Sequence, residues 1–232
     1  MRLVILDTET TGLDPDDGHR VIEIGAVEVL NRSLTGRDFH AYLNPDRDSD
    51  PGALEVHGLT TEFLQDKPRF KDVVQELLDF VGQAQLIIHN APFDLKFLNA
   101  ELKHIGLEAL TSYSGPVTDS LAHAKALYPG KRNSLDALCE RYGVRNAHRT
   151  LHGALLDARL LAEVWLAMTR GQDSLAIEDE VHPGQTFAAQ QQKAYDLPAI
   201  EVSADEQLAH EAYLQTLDQA SGDQTVWRRL AS

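Results

Sequence analysis

Two acidic residues near the N-terminus have the spacing of a divalent-metal site. Asp7 and Glu9 follow the apolar run 3–6, which is too short for a helix and is typical of a strand buried on both faces. Side chains two residues apart on a strand leave the same face, so the two carboxylates lie about 7 Å apart along the chain. Oxygen-only ligands at that spacing suit a hard ion such as Mg²⁺ or Mn²⁺. A solvated strand end is the alternative, so other segments must decide.

Three further residues could complete such a site. Asp94 lies in the first turn of a predicted helix that follows the buried strand 86–88. Asp157 lies one turn into the last predicted helix, and His152 precedes it by five residues. Singly, each has a structural explanation, because acids are favourable in a first helical turn and histidines occur in loops. Together they supply what two-metal hydrolysis of a phosphodiester requires, namely ligands for two cations and a base that activates water near neutral pH.

The elements that must position these groups follow an α/β pattern. Three strands in succession predict an antiparallel meander, and helices then alternate with two shorter strands, which gives a mixed sheet flanked by helices. Gly25 inside the second strand predicts a bulge or a close backbone approach, and Ser134 is a predicted helix N-cap. The predicted strands are 3–6, 21–30, 39–43, 86–88 and 117–119, with a connection over 31–38, and the predicted helical stretches are 52–81, 92–105, 120–127, 135–142 and 153–168.

Composition and charge restrict the class of protein. A hydrophobic fraction of 43% and a charged fraction of 25% are typical of a soluble globular protein. The absence of a leader and of a membrane-length apolar run predicts a cytoplasmic location and no membrane partner. The net charge of −15 argues against a broad basic face for nucleic acid, although metal ions could still neutralise a nucleic-acid substrate locally. The single cysteine, Cys139, lies in an apolar-periodic stretch and is predicted to be a buried structural thiol.

The composition changes after residue 171. Residues 171–232 carry eleven acidic and three basic residues, and 178–202 are typical of a flexible linker. Ser203 and Glu206 have the spacing of a capping box and predict a short helix. Trp227 lies near the end of a polar tail with nothing local to pack on, so we expect it to be an interface anchor.

Three ordered motifs resemble those of the DEDDh exonuclease family. They are DTETTGL at 7–13, HNAPFD at 89–94 and HGALLD at 152–157, with further similarity at 132–139 and 149–152. The resemblance is closest to members that proofread for bacterial replicative DNA polymerases. It implies a ribonuclease-H-like fold with a mixed five-stranded sheet over residues 1–171. It also implies 3′–5′ exonuclease activity that releases deoxynucleoside monophosphates.

The resemblance also implies the role of each site residue. Asp7, Glu9 and Asp157 would bind one of two divalent cations, Mg²⁺ or Mn²⁺. Asp7 would bridge to the second cation, and Asp94 would hold that ion directly or through water. His152 would deprotonate the attacking water. Asp119 matches no metal-binding position, so an N-cap or a supporting role is predicted for it. The 3′-terminal nucleotide would contact Thr10, Leu13, Val56, His57 and Gly58.

Gly52 departs from the family pattern. We expect relatives to carry an acidic residue at this position, after the proline at Pro51. If that acid helps to bind the terminal nucleotide, its contact is missing in this chain.

The tail resembles segments that bind polymerase partners. Residues 172–177 resemble a sliding-clamp motif, with Gln172, Leu175 and Ile177 as its contacts, although Ile177 replaces a frequent aromatic residue. A frayed helix end is the alternative for this segment. The family pattern implies that 203–232, including Trp227, docks on the polymerase catalytic subunit, with 178–202 as a tether and a small theta-like subunit as a further partner.

Two other functions remain open from the residues alone. One is an RNA-directed exonuclease of the same family, which would not need a polymerase-docking tail. The other is a mainly structural subunit that bridges clamp and polymerase with a silent active site. The presence of all five catalytic residues argues against the second function.

Overall fold

A mixed five-stranded sheet forms the centre of the first of two units, residues 1–179 and 180–232. The computed structural model describes residues 1–146, 151–170 and 202–221. The strand order is β3-β2-β1-β4-β5; β1, β2 and β3 are antiparallel, and β4 and β5 run parallel to β1. This architecture confirms the predicted fold class. The strands are β1 (Arg2–Thr10), β2 (Val21–Leu30), β3 (Ser33–Tyr42), β4 (Gln85–Ile88) and β5 (Val117–Asp119).

The connection between β2 and β3 is shorter than predicted. The sequence predicted a link over 31–38, but the structure has a two-residue turn in which Asn31 and Arg32 have φ values of 49° and 64°. Positive φ at both central residues is the geometry of a type I′ hairpin turn. Asparagine is common in such turns, whereas arginine gives no sequence signal for one. Arg32 is held by a hydrogen bond of 2.8 Å to the carbonyl oxygen of Leu166. Gly36, predicted to lie in the link, is inside β3.

Helices cover both faces of the sheet. Alternate residues of β1 point to opposite layers, so Val4 and Leu6 pack with two helices on one face, and Leu3 and Ile5 pack with three helices on the other. The first pair is α3 (Phe70–Val81) and α4 (Ala91–His104). The second group is α5 (Ser120–Leu127), α6 (Leu135–Tyr142) and α7 (Ala154–Met168).

The helical stretch predicted from residue 52 is divided. It contains α1 (Pro51–His57) and α2 (Thr61–Leu64) before α3. Gly58, with φ of 70°, ends α1 in the left-handed conformation, and Thr60 caps α2 by accepting from the amide of Phe63. Two short 3₁₀ turns, Pro15–Asp17 and Leu110–Ser112, complete the described part of the first unit.

Three local predictions are confirmed. Ser134 caps α6, accepting a hydrogen bond of 3.4 Å from the amide of Ala137. Asp119 caps α5, accepting from the amides of Leu121 and Ala122. Cys139 is fully buried in the second layer of the core.

The second unit contains α8 (Ala204–Ser221), which is longer than the short helix predicted. The predicted capping box is present, because the Ser203 amide donates to Glu206 Oε2 at 2.9 Å and Ser203 Oγ accepts from the Glu206 amide. Gln172, Leu175 and Ile177, nearly all of the linker 178–202, and Trp227 lie outside the described residues. Among the described helices, none is long and apolar enough to cross a membrane.

Candidate active site

A cavity of about 570 Å³ lies beside the sheet where β1 and β4 end. Parallel neighbouring strands bring the residues at their carboxyl ends to one edge, which is the usual place for a site in an α/β sheet. All five predicted catalytic residues line this cavity: Asp7, Glu9, Asp94, His152 and Asp157. Asp94 follows Glu9 by 85 positions and Asp157 follows Asp7 by 150, and the fold brings these residues together, as the motifs predicted.

Three of these five residues have possible ligand atoms close enough together to share one cation. One atom each from Glu9, His152 and Asp157 lie within 4.8 Å of one another. Glu9 and Asp157 are 9% and 3% exposed, so their charges are largely removed from water. Buried carboxylates repel each other unless a positive charge compensates them, and an oxygen-rich donor set suits a hard divalent ion. The residues present therefore fit a divalent cation.

Asp94 adds a buried acid at the first turn of α4. Its carboxyl group is 3% exposed, and Oδ1 accepts a hydrogen bond of 2.7 Å from Thr8 Oγ1. Burial raises the pKa of Asp94 to about 7, with a smaller contribution from the charge of Asp119, although the Thr8 hydrogen bond opposes the shift. A carboxyl group in this state gains from a nearby cation, which would stabilise its ionised form.

Gly25 sets the position of α7 over the sheet. It pairs with Asp7 in the β1–β2 register, and a Cβ atom here would lie 2.1 Å from the backbone nitrogen of Leu155 and 2.3 Å from the carbonyl carbon of Ala154. Only glycine allows the helix backbone to approach this closely. The close approach predicted from the sequence is confirmed, and it brings Asp157, one turn further along, next to β1.

His152 contacts both the acidic cluster and the neighbouring helix α1. Its Nδ1 lies 3.3 Å from Asp157 Oδ2, and its amide donates a hydrogen bond of 3.0 Å to the carbonyl oxygen of Val56. A Cβ atom on Gly58 would lie 2.6 Å from Leu151 Cδ1. The segment that carries the histidine therefore packs directly on the end of α1.

A second, more apolar cavity of about 410 Å³ adjoins the first. Four of the five predicted nucleotide-contacting residues line it: Thr10, Leu13, Val56 and His57. Gly58 does not line it but ends α1 beside them. Gly52, where an acid was expected, lies on its wall.

His57 presents a buried donor at this second cavity. Its Nδ1 accepts a hydrogen bond of 2.9 Å from the amide of Leu59, and burial lowers the pKa of the ring, so the neutral form carries its proton on Nε2. Among the described residues this buried Nε2 has no hydrogen-bond partner. A buried donor without a partner is costly.

Sequence reasoning missed two supporting groups. Thr8 binds Asp94, although strand alternation points it away from Asp7 and Glu9. Glu23 is 2% exposed, pairs with Glu9 across the sheet, and has Oε1 at 2.7 Å from His40 Nε2. The available signal was a charged residue in a mostly apolar strand, which holds Glu23 and Glu28 as its two charged residues.

Comparisons with known proteins agree with the motifs and the fold. A family model described as exonuclease matches residues 4–165. DNA polymerase III subunit epsilon of Escherichia coli K12 is 50% identical over 237 residues, which cover 98% of this chain and 97% of that protein. The subunit of the same name from Pasteurella multocida is 48% identical over 242 residues, covering 99% and 95%.

Solved exonuclease structures share the fold. Exonuclease X in complex with 5′-overhanging duplex DNA has a TM-score of 0.58 and 26% identity, covering 72% of this chain and 90% of that one. Escherichia coli exonuclease I in complex with a dT13 oligonucleotide has a TM-score of 0.66 at 18% identity, covering 75% and 42%. At that identity the second likeness concerns the fold alone.

Proposed function

We propose that this chain, which belongs to the exonuclease family, is a 3′–5′ exonuclease that proofreads DNA for a replicative polymerase of the DNA polymerase III type. One observation carries the proposal: the four predicted acids and His152 line one cavity, beside a second cavity of a size to hold a nucleoside. The reaction is hydrolysis of the 3′-terminal phosphodiester, which releases a deoxynucleoside monophosphate.

Four carboxylates would hold two divalent cations, Mg²⁺ or Mn²⁺. Asp7, Glu9 and Asp157 are assigned to one ion, and Asp7 and Asp94 to the other. When bound, such ions neutralise the non-bridging phosphate oxygens and stabilise the leaving 3′-oxygen. The raised pKa of Asp94 supports this assignment, because the hydrogen bonds to this carboxyl group do not offset its burial, and a cation would favour its ionised form.

His152 is assigned as the general base. Since Nδ1 lies 3.3 Å from Asp157 Oδ2, we assign the ring proton to Nδ1, which leaves Nε2 as the basic nitrogen of the neutral ring. That nitrogen takes the proton from the attacking water, and the carboxylate of Asp157 stabilises the imidazolium that results. The ring is 43% exposed, so the proton has a path to solvent afterwards.

The second cavity is assigned to the terminal nucleoside. Leu13 is 85% exposed at its edge and offers an apolar surface on which an unpaired base can stack. The buried Nε2–H of His57 supplies one hydrogen bond to an oxygen of the nucleotide. A mispaired end frays more readily than a paired one, so a site that accepts only an unpaired nucleotide favours removal of errors.

The tail is assigned to partners. The near full-length similarity to DNA polymerase III epsilon subunits supports docking of 203–232 on the catalytic subunit, with 178–202 as a tether. Within α8, Leu208 and Tyr213 are 70% and 63% exposed, which suits a helix that packs on a partner. Gln172, Leu175 and Ile177 are proposed to contact the sliding clamp, Trp227 the polymerase, and the first unit a small theta-like subunit.

The test follows a 5′-labelled primer with a mismatched 3′ end in Mg²⁺. We expect stepwise shortening from the 3′ end with release of mononucleotides, and loss of this activity in Asp7→Ala with Glu9→Ala. A primer of identical sequence in RNA serves as the second substrate. Preferential cleavage of the RNA would instead assign an exoribonuclease, and an untouched primer would leave a structural bridging role.

A further inference from the structure

The substrate strand poses an electrostatic problem for this chain. The protein carries a net charge of −15, and five acids, the four predicted ones and Asp136, line the cavity where a polyanion must bind. Two cations at the scissile phosphate would compensate the site itself but not the phosphates further along the strand. A local source of positive charge at the cavity rim would solve this problem.

One rim of the catalytic cavity is basic. Residues 120–146 carry five basic residues and two acidic ones, against the acidic character of the whole chain. Two of the five, Lys125 on α5 and Lys131 in the loop that follows, line the same cavity as the acids, together with one of the two acidic residues, Asp136 on α6. Both side chains are exposed. The basic rim, as we call Lys125 and Lys131, therefore faces the space where the substrate must enter.

The basic rim is not used for structural ion pairs. Many other cations of the first unit are paired with acids, such as Arg20 with Glu101 and Arg159 with Asp38. In residues 1–146 and 151–170, no ion pair or hydrogen bond is formed by either ammonium group of the basic rim. Two cations without an ion pair in these described residues, in a cavity lined by five acids, remain available for an anionic ligand.

The loop that carries Lys131 is held from within. The buried side chain of Asn133 donates to the carbonyl oxygens of Tyr128 and Lys131 at 3.2 and 3.1 Å, and accepts from Arg141 Nη1 at 3.0 Å. Arg141 also donates to the carbonyl oxygen of Arg132 at 2.7 Å. These hydrogen bonds fix the backbone of the loop, so the backbone of Lys131 is held in place before a ligand binds.

The two cavities give the strand a direction. They share Thr8, Glu9 and Phe93, so the scissile phosphate lies at their boundary. The apolar cavity is assigned to the terminal nucleoside, and the basic rim belongs only to the other cavity. The upstream part of the strand must therefore leave across the basic rim.

We propose that Lys125 and Lys131 bind the phosphates of the nucleotides upstream of the scissile bond and hold the single strand in register for successive cuts. This inference rests on the proposed function and extends it from the terminal nucleotide to the rest of the strand. The contacts are to the backbone, so they are independent of sequence. The basic rim thus sets affinity for a strand and leaves the chemical step unchanged.

The test compares two substrates for the full chain with Lys125→Gln and Lys131→Gln. One is a ten-nucleotide single strand, and the other is the 4-nitrophenyl ester of thymidine 5′-monophosphate, which has no upstream phosphate. We expect KM for the strand to rise about tenfold at 50 mM KCl, with kcat unchanged and with no change in either constant for the ester. The control, Lys71→Gln with Lys103→Gln, removes the same charge from exposed positions outside the cavity and should match the wild type on both substrates.

Salt dependence supplies a second readout. Each contact with a single-strand phosphate contributes about 0.7 to the log–log salt slope, so the tenfold difference in KM should shrink about sevenfold between 50 and 200 mM KCl. A strand with uncharged methylphosphonate linkages upstream should bind the wild type and the variant equally. Equal losses on strand and ester, or an unchanged salt slope, would overturn the proposal. Failure of the wild type on both substrates would instead overturn the proposed function.

Discussion

Replacing Gly25 by alanine tests whether the approach of α7 to β2 positions the catalytic residues. The added Cβ would lie 2.1 Å from the backbone nitrogen of Leu155, whereas an ordinary contact needs at least 3.4 Å. The first turn of α7 must therefore move by about 1.3 Å, and Asp157 moves with it. A misplacement of about 1 Å in a catalytic constellation costs about 100-fold in rate. We expect kcat of Gly25→Ala to fall by about 100-fold, with a loss of about 1–3 kcal/mol in the free energy of unfolding from overpacking.

The assay is steady-state release of mononucleotides from a short single strand in Mg²⁺, with urea denaturation to confirm that the variant is folded. Gly153→Ala is the matched control, since its Cβ would lie 3.9 Å from the nearest atom, Glu23 Oε2. We expect this control to retain kcat within about threefold, because no backbone has to move. A folded Gly25→Ala protein with wild-type kcat would refute the reasoning, and so would an equal loss in both variants.

Three further predictions concern stability and substrate affinity. In EDTA, the pKa of Asp94 is about 7 in the folded chain and about 4 in the unfolded chain. As the pH rises from about 4 to 7, the unfolded chain loses this proton first, so the folded wild type becomes less stable. Urea denaturation should therefore show Asp94→Asn gaining on the order of 4 kcal/mol relative to wild type between pH 4 and pH 8; a constant difference would contradict the shift. In the wild type, a carboxylate oxygen of Glu101 lies 2.7 Å from Nε of the half-buried Arg20 side chain. Glu101→Gln leaves this guanidinium without its carboxylate, so we expect the free energy of unfolding to fall by about 3 kcal/mol. A change below about 0.5 kcal/mol would contradict a stabilising ion pair. His57→Phe removes the buried Nε2–H donor, so KM for a single strand should rise about tenfold with kcat nearly unchanged, and an unaltered KM would exclude His57 from the nucleotide site.

The residues of the catalytic cavity were predictable because their chemistry is encoded locally. Asp7 and Glu9 follow an apolar run whose alternation fixes their common face, and Asp94 and Asp157 lie in the first turns of α4 and α7, the first of which is marked by Pro92. Gly25 was informative for the same reason, since a glycine in an apolar strand marks a close approach.

Features that depend on contacts distant in sequence were not predictable. The Asn31–Arg32 turn places an arginine at positive φ, and its stabilisation comes from α7, more than 130 residues later. Neither local propensity nor periodicity carries that information. The Thr8 hydrogen bond to Asp94 and the burial of Glu23 beside His40 likewise arise only when the layers pack.

Four carboxylates around one cavity are proposed to hold two catalytic cations. The most direct test of this proposal counts Mn²⁺ ions by electron paramagnetic resonance, with thymidine 5′-monophosphate present, for the wild type, Asp94→Asn and Asp157→Asn. We expect two bound ions per wild-type chain and at least one fewer in each variant, because each substitution removes a charged oxygen ligand. A wild-type chain that binds no Mn²⁺ at millimolar concentration, or variants with undiminished stoichiometry, would contradict it.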